Sequence, residues 1–139
     1  MSITDKKNSS EAEQELKSKI YTLNKEENIY VWEQVSNPTM KTFEIMFAEM
    51  EKQTKPLEKF YLIVDLRNRE GRTTPQQRGF LKESLDNTPN LQYVAFVTFT
   101  EAYEQIGKFL FESTPVQEFS VNLTMEEGLQ KIKEFKGRN

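Results

Sequence analysis

The chain has 139 residues, of which 36% are hydrophobic and 29% charged, and this composition is typical of one globular domain with its own core. Its net charge of −3 and pI near 5.2 argue against nucleic acid as a partner, because no overall positive field would attract phosphates. The sequence contains neither cysteine nor histidine, which excludes disulfides, thiol nucleophiles, thiolate zinc sites and every mechanism that needs an imidazole base.

The first fifteen residues are polar and charged without apolar periodicity, so we predict a disordered tail over 1–15. A frayed helical turn from Ser10 to Lys19 is compatible with that prediction. Residues 16–139 show no repeat and no wide linker, which indicates a single domain. No apolar run is long enough to span a membrane, and the N-terminus lacks an apolar signal region. We therefore expect a cytoplasmic protein without stable membrane insertion.

The first predicted elements form an antiparallel hairpin. Ile20–Leu23 and Ile29–Val35 have the composition of strands, and the polar segment Asn24–Asn28 joins them. Alternation along the second strand places Tyr30 and Trp32 on the face opposite Ile29 and Val31. These two aromatic side chains either belong to the core or line an apolar pocket or dimer contact.

A helix follows, with Asn37 as the predicted N-cap and Pro38 at the first helical position. The run Phe60–Arg67 comes next, and no polar residue interrupts it between Phe60 and Val64. Such a run is typical of a strand buried on both faces, so we place it at the centre of the sheet.

The remaining elements continue the alternation of strands and helices. Thr74 and Gln77 have the spacing of a capping box and open the second helix. The order ββαβαβαβα predicts an α/β fold with a mixed, mostly parallel sheet of about five strands and four helices. The later elements are a strand at Tyr93–Phe99, a helix at Glu101–Phe111, an edge strand at Val116–Asn122 and a helix from Thr124 to Phe135.

This pattern resembles the SpoIIAA-like family, which is related to the STAS domains of anti-sigma-factor antagonists and to the CRAL-TRIO lipid-binding fold. The resemblance lies in the hairpin, the first helix, Leu62–Arg67 with its loop and Thr-Pro helix start, and Val94–Val97. The segments Val116–Phe119 and Glu126–Leu129 are similar to the strand and helix that close such domains. The resemblance implies a bacterial, non-enzymatic regulatory module that acts in signalling by binding a protein partner, without a cofactor or metal.

The segment after the central strand departs from the family pattern. STAS antagonists have a phosphorylatable serine in an Asp-Ser-Ser-Gly-like turn, whereas Arg67–Pro75 is longer and offers threonines. Thr73 and Thr74 occupy a comparable place and are candidate phosphorylation sites. Thr74 has the sequence of a helix N-cap, so Thr73 is the better candidate for a switch.

Arginines are concentrated in the same segment. Between positions 65 and 78, four arginines face only Asp65 and Glu70, which leaves a local excess of positive charge in an acidic protein. Ligands of open α/β sheets lie beyond the carboxyl ends of the strands, and arginine binds carboxylates and phosphates through paired N–H groups. The alternative is a solvated loop whose arginines pair with nearby acids. The predicted binding residues are Arg67, Arg69, Arg72, Thr73 and Arg78.

Asp65 ends the central strand, where α/β enzymes place catalytic or metal-binding acids. The role we favour instead is that its carboxylate orders the following loop by accepting backbone N–H groups.

We therefore expect a non-enzymatic interaction module that binds a protein partner or an anionic ligand through Arg67–Gln77. The alternative is a carrier that holds a small apolar or amphipathic, lipid-like ligand beneath the second and third helices. An enzyme that uses Asp65 and an arginine is the third hypothesis. A homodimer is compatible with each of these.

Overall fold

Helices and strands alternate along the chain in this computed structural model, which describes residues 3–67, 74–99 and 118–138. No helix within those ranges has the length and apolarity needed to cross a membrane. The predicted helix at Glu101–Phe111 lies outside the described residues. The elements, in chain order, are α1 (Ile3–Ser18), β1 (Ile20–Asn24), β2 (Ile29–Glu33), α2 (Met40–Thr54), β3 (Phe60–Asp65), α3 (Pro75–Asp86), β4 (Leu91–Val97), β5 (Glu118–Asn122) and α4 (Met125–Arg138).

The five strands form one mixed sheet in the order β1-β2-β3-β4-β5. β1 is antiparallel to β2, and every other neighbouring pair is parallel. This confirms the predicted α/β class and the central position of β3. It also confirms the edge position of β5. Leu62 and Ile63 on β3 are fully buried although they point to opposite faces, as expected of a strand covered on both sides.

Helices cover both faces of the sheet and create two separate cores. Tyr30 and Trp32 belong to the core under α2 and α3, whereas Ile29 and Val31 belong to the core under α4. This confirms the predicted alternation along β2. It also places Tyr30 and Trp32 in the core, since both side chains are buried.

The predicted start of the first helix after the hairpin was wrong. The N-cap of α2 is Thr39, whose Oγ1 accepts the N–H of Thr42 at 3.2 Å while its own N–H donates to Thr42 Oγ1 at 3.1 Å. Asn37 has a φ of 49°, in the left-handed region, and an N-cap requires extended backbone. The reciprocal pair of threonines therefore determines where the helix begins.

The N-terminal region also differs from the expectation of a disordered tail. Ile3–Ser18 forms α1, although the sequence predicted no more than a frayed turn from Ser10 to Lys19. The segment lacks an apolar stripe but is rich in Glu and Lys, which are strong helix formers. Leu16 near its end packs against the core under α2 and α3, which ties the helix to the domain.

Candidate functional site

The carboxyl ends of four neighbouring strands meet at one edge of the sheet. Glu33 pairs with Asp65, Asp65 with Val97, and Val97 with Asn122, so the parallel strands end in register. We call these strand ends, with the two residues that follow each of them, the carboxyl edge. This is where open α/β sheets bind ligands, because the following helices and loops leave a crevice there.

Asp65 and Arg67 form a close ion pair at the centre of this edge. Arg67 donates from Nε to Asp65 Oδ1 and from Nη2 to Asp65 Oδ2, each at 3.0 Å. The backbone N–H of Arg67 also donates to Oδ1 at 3.0 Å. Asp65 therefore accepts a backbone N–H at the start of the loop, as the structural role we favoured for it predicts.

The ion pair determines the charge state of Asp65. Burial leaves Asp65 only 7% exposed and favours its neutral form, but the hydrogen bonds and charge of Arg67 outweigh this effect, so the pKa of Asp65 lies below its usual value. Asp65 is consequently a stable carboxylate at neutral pH. A general acid or base needs a pKa near the working pH instead.

Arg67 retains donors on the side that faces away from Asp65. A guanidinium has five N–H groups, and Nε and Nη2 use one each on the carboxylate. The remaining groups, on Nη1 and Nη2, have no partner among the described residues, and the side chain is 38% exposed. Arg67 therefore pairs with a nearby acid, as expected if the arginines belong to a solvated loop. It also presents N–H donors to a ligand.

A second polar group lies beside this pair on the first two strands. The hydroxyl of Tyr21 donates to Glu33 Oε1 at 2.8 Å, and Lys19 Nζ lies 4.0 Å from Glu33 Oε2. Burial and the bond to the Glu33 carboxylate raise the pKa of Tyr21 to about 12. Sequence reasoning missed this group. The hairpin register could have indicated it, because Tyr21 pairs with Val31 and Glu33 follows two residues later on the same face of β2.

Thr74 is engaged as the N-cap of α3. Its Oγ1 accepts the N–H of Gln77 at 3.1 Å, and Gln77 Oε1 accepts the N–H of Thr74 at 3.0 Å, which confirms the predicted capping box. Gln77 Nε2 also donates to the carbonyl oxygen of Pro38 at 2.8 Å and so links the start of α3 to the segment before α2.

Two large apolar side chains are exposed at the carboxyl edge. Phe99, two residues beyond β4, is 49% exposed, and Leu123, directly after β5, is 41% exposed. The ends of β4 and β5 are joined by the hydrogen bond from Thr98 N to Asn122 O at 2.9 Å. The hydrogen bond from Leu66 N to Val97 O at 2.8 Å joins the end of β4 to the residue before Arg67. Apolar and cationic groups therefore share one edge.

Arg69, Arg72 and Thr73 lie outside the described residues. Arg78 belongs to α3, but its side chain also lies outside them. Their roles in binding and the phosphorylation of Thr73 or Thr74 stay predictions.

Aromatic rings fill much of the core on one face of the sheet. Beneath α2 and α3, Trp32 contacts Phe47 with ring centroids 6.2 Å apart, and Phe47 contacts Phe80 at 6.3 Å. Phe43 and Met46 beside them are fully buried. The carrier hypothesis placed its ligand beneath α3 and the predicted helix at Glu101–Phe111, which lies outside the described residues, so the hypothesis stays a prediction.

The sequence was compared with models of known protein families and with curated proteins. No model of a known protein family matches the sequence, and no curated protein matches it. The likeness to SpoIIAA-like and STAS domains is therefore an expectation based on motifs and element order. Among the described residues, no group of three or more acidic side chains is placed to hold a metal ion.

Proposed function

We propose that this chain is a non-enzymatic interaction module of STAS-like type, which binds an acidic segment of a partner protein through the carboxyl edge. The observation that supports this proposal is the combination of Arg67, which has N–H groups to spare, with exposed Phe99 and Leu123 at the same edge. An exposed arginine beside apolar anchors is the composition of a protein-binding hot spot.

The chemistry of the edge favours a particular kind of partner. The outward N–H groups of Arg67 fit a carboxylate or phosphate, because such anions accept paired hydrogen bonds. Phe99 and Leu123 fit an apolar side chain close to that anion. A partner segment with an acidic or phosphorylated residue next to an apolar one satisfies both requirements.

The state of Asp65 favours binding over catalysis at this edge. Both of its carboxylate oxygens accept bonds from Arg67, and its pKa lies below the usual value. An acid in that state does not exchange protons near neutral pH. The pair instead holds the backbone and the guanidinium of Arg67 in fixed positions, which reduces the entropy lost on binding.

Short synthetic peptides test this proposal. Each peptide has a central Phe flanked by glutamate, by phosphoserine or by neutral glutamine, and its affinity is measured by fluorescence polarisation. We expect the acidic and phosphorylated peptides to bind and the glutamine peptide to bind at least tenfold more weakly, since charge-assisted hydrogen bonds contribute about 1.5–3 kcal/mol.

Surface variants test whether the peptides bind at the carboxyl edge. Phe99→Ser and Arg67→Gln should each weaken binding of the acidic peptide about tenfold. Leu23→Ser is the matched control. Leu23 is also exposed, at 46%, but it lies on β1 next to the amino end of β2, away from the carboxyl edge. Equal affinity for all three peptides, or equal weakening by Phe99→Ser and Leu23→Ser, would contradict the proposal.

A further inference from the structure

An open groove lies at the end of the sheet opposite to the carboxyl edge. It has a volume of about 620 Å³ and is lined by β4, β5 and the part of α4 from Lys131 onward. Tyr93 and Glu118, which pair across β4 and β5, mark the amino ends of these strands. The size falls within the range of small-molecule sites. The lining residues are Tyr93, Phe119, Ser120, Lys131, Glu134 and Arg138.

The floor of the groove contains a hydroxyl hydrogen that no described residue accepts. Asn122 Nδ2 donates one hydrogen to the carbonyl oxygen of Phe96 at 3.1 Å and the other to Ser120 Oγ at 2.9 Å. Tyr93 and Ser120 each have one hydroxyl hydrogen, and a hydrogen bond between them uses only one of the two. At least one O–H group is therefore available to a ligand, whichever way that bond runs.

The position of this donor is fixed by packing. The ring of Tyr93 contacts the ring of Phe135 with centroids 5.0 Å apart, and the Tyr93 residue is buried. Asn122 is also buried and is held by its two hydrogen bonds. A donor held in this way needs no rearrangement when it binds an oxygen atom, which favours affinity.

Two cationic side chains stand at the rim of the groove. Lys131 and Arg138 are two helical turns apart and so lie on one face of α4. Each forms a long ion pair, with 3.9 Å from Lys131 Nζ to Glu134 and 3.8 Å from Arg138 Nη2 to Glu118. The lysine and arginine side chains are 52% and 67% exposed, and ion pairs of this kind contribute little. Both cations can therefore turn towards an anion.

From these groups we infer that the groove binds a small amphipathic carboxylate. Its carboxylate oxygens accept bonds from the free hydroxyl and from Lys131 and Arg138, while its apolar part lies along the ring of Tyr93. The site is separate from the carboxyl edge, so it exists whether or not that edge binds a partner.

Octanoate is the probe that tests this inference, with octanamide as its uncharged counterpart. Titration calorimetry of the full chain should show saturable binding of octanoate and at least tenfold weaker binding of octanamide, since only the carboxylate makes charge-assisted bonds. Absence of saturable octanoate binding, or equal binding of the two compounds, would overturn the inference.

Variants on α4 locate the binding. Lys131→Gln and Arg138→Gln should each weaken octanoate binding about three- to tenfold, and both side chains are exposed, so the fold is retained. Lys133→Gln removes the same charge from an exposed position outside the groove and should leave the affinity unchanged. Phe99→Ser should also leave the octanoate affinity unchanged, because Phe99 lies at the carboxyl edge. The groove and the carboxyl edge can therefore be tested independently, and failure of one proposal does not imply failure of the other. If Lys133→Gln weakened octanoate binding as much as Lys131→Gln and Arg138→Gln do, octanoate would be responding to the net charge of the protein alone, and the proposed site would be overturned.

Discussion

At the scale of single residues, Asp65 and Arg67 illustrate what a sequence can and cannot predict. The position of Asp65 at the end of an apolar strand predicted its place at the carboxyl edge, and its bond to a backbone N–H followed from its chemistry. The partner of Arg67 could not be predicted in the same way. Which arginine turns back to the strand depends on the backbone path of the loop, and composition alone does not specify that path.

Tyr21 provides a pH test of the polar group next to this pair. Its pKa is raised to about 12 by burial and by Glu33, so the folded chain keeps a proton that the unfolded chain releases near pH 10. The contribution of Tyr21 to stability is complete below about pH 10 and is lost as the pH rises through about 12. Tyr21→Phe has no such proton, so its free energy of unfolding should fall less over that interval.

Urea unfolding at about pH 9 and about pH 11, followed by circular dichroism, measures this difference. Burial also raises the pKa of Tyr93, but this residue is present in both proteins and cancels in the comparison. If the free energy of unfolding falls by the same amount in the wild-type chain and in Tyr21→Phe, the pKa of Tyr21 is not raised by its surroundings.

At the scale of elements, helix starts were predicted well where a single residue could serve as the cap. Thr74 had a glutamine at the right spacing and no competitor, and the capping box forms as predicted. The start of α2 was predicted at Asn37, but the N-cap is Thr39, because Thr42 bonds back to Thr39. That choice depends on a reciprocal pair of side chains, so a preference scale for single residues could not resolve it.

Two helical glycines differ in their surroundings and should respond in opposite ways to the same substitution. A Cβ atom at Gly79 in α3 would have nothing within 4 Å, so Gly79→Leu should raise the free energy of unfolding by roughly 0.5–1 kcal/mol through helix propensity. At Gly128 in α4, a Cβ atom would lie 3.4 Å from Ala95 Cβ and 3.5 Å from Val97 Cγ2. Gly128→Leu therefore forces larger atoms into the sheet and should cost roughly 1–3 kcal/mol.

Denaturant unfolding of the two variants, measured side by side, checks this pair of expectations. The glycine at position 137 offers a further open position, because a Cβ atom there would also have nothing within 4 Å. A stable Gly128→Leu variant would show that α4 does not pack closely on β4.

At the scale of the whole molecule, the alternation of strands and helices was enough to predict the fold class. The hairpin placed β1 next to β2, and the central place of β3 followed from its unbroken apolar run. The two-sided arrangement of the cores was not predicted in detail. It depends on the packing of α4 against β4, β5 and β3, which is a long-range property that local patterns do not encode.

The single tryptophan allows a test of whether the two cores unfold together. Ile132 is fully buried under α4, whereas Trp32 lies in the core on the other face of the sheet. Ile132→Ala should lower the free energy of unfolding by roughly 2–5 kcal/mol. Because small domains unfold cooperatively, Trp32 fluorescence and far-ultraviolet circular dichroism should report the same lowered midpoint. A fluorescence midpoint that stays at the wild-type value would mean that the cores unfold separately.

The position of α4 in the chain affects how the protein is made. All five strands precede this helix, yet it covers Ile63, Ala95 and Val97, which are fully buried in the finished fold. A ribosome adds the 14 residues of α4 in about 1–3 s at ordinary elongation rates. During that interval the nascent sheet lacks the cover that α4 provides on one apolar face. A pause in translation between β5 and α4 would prolong the exposure, and with it the time in which a chaperone or another nascent chain can bind that face.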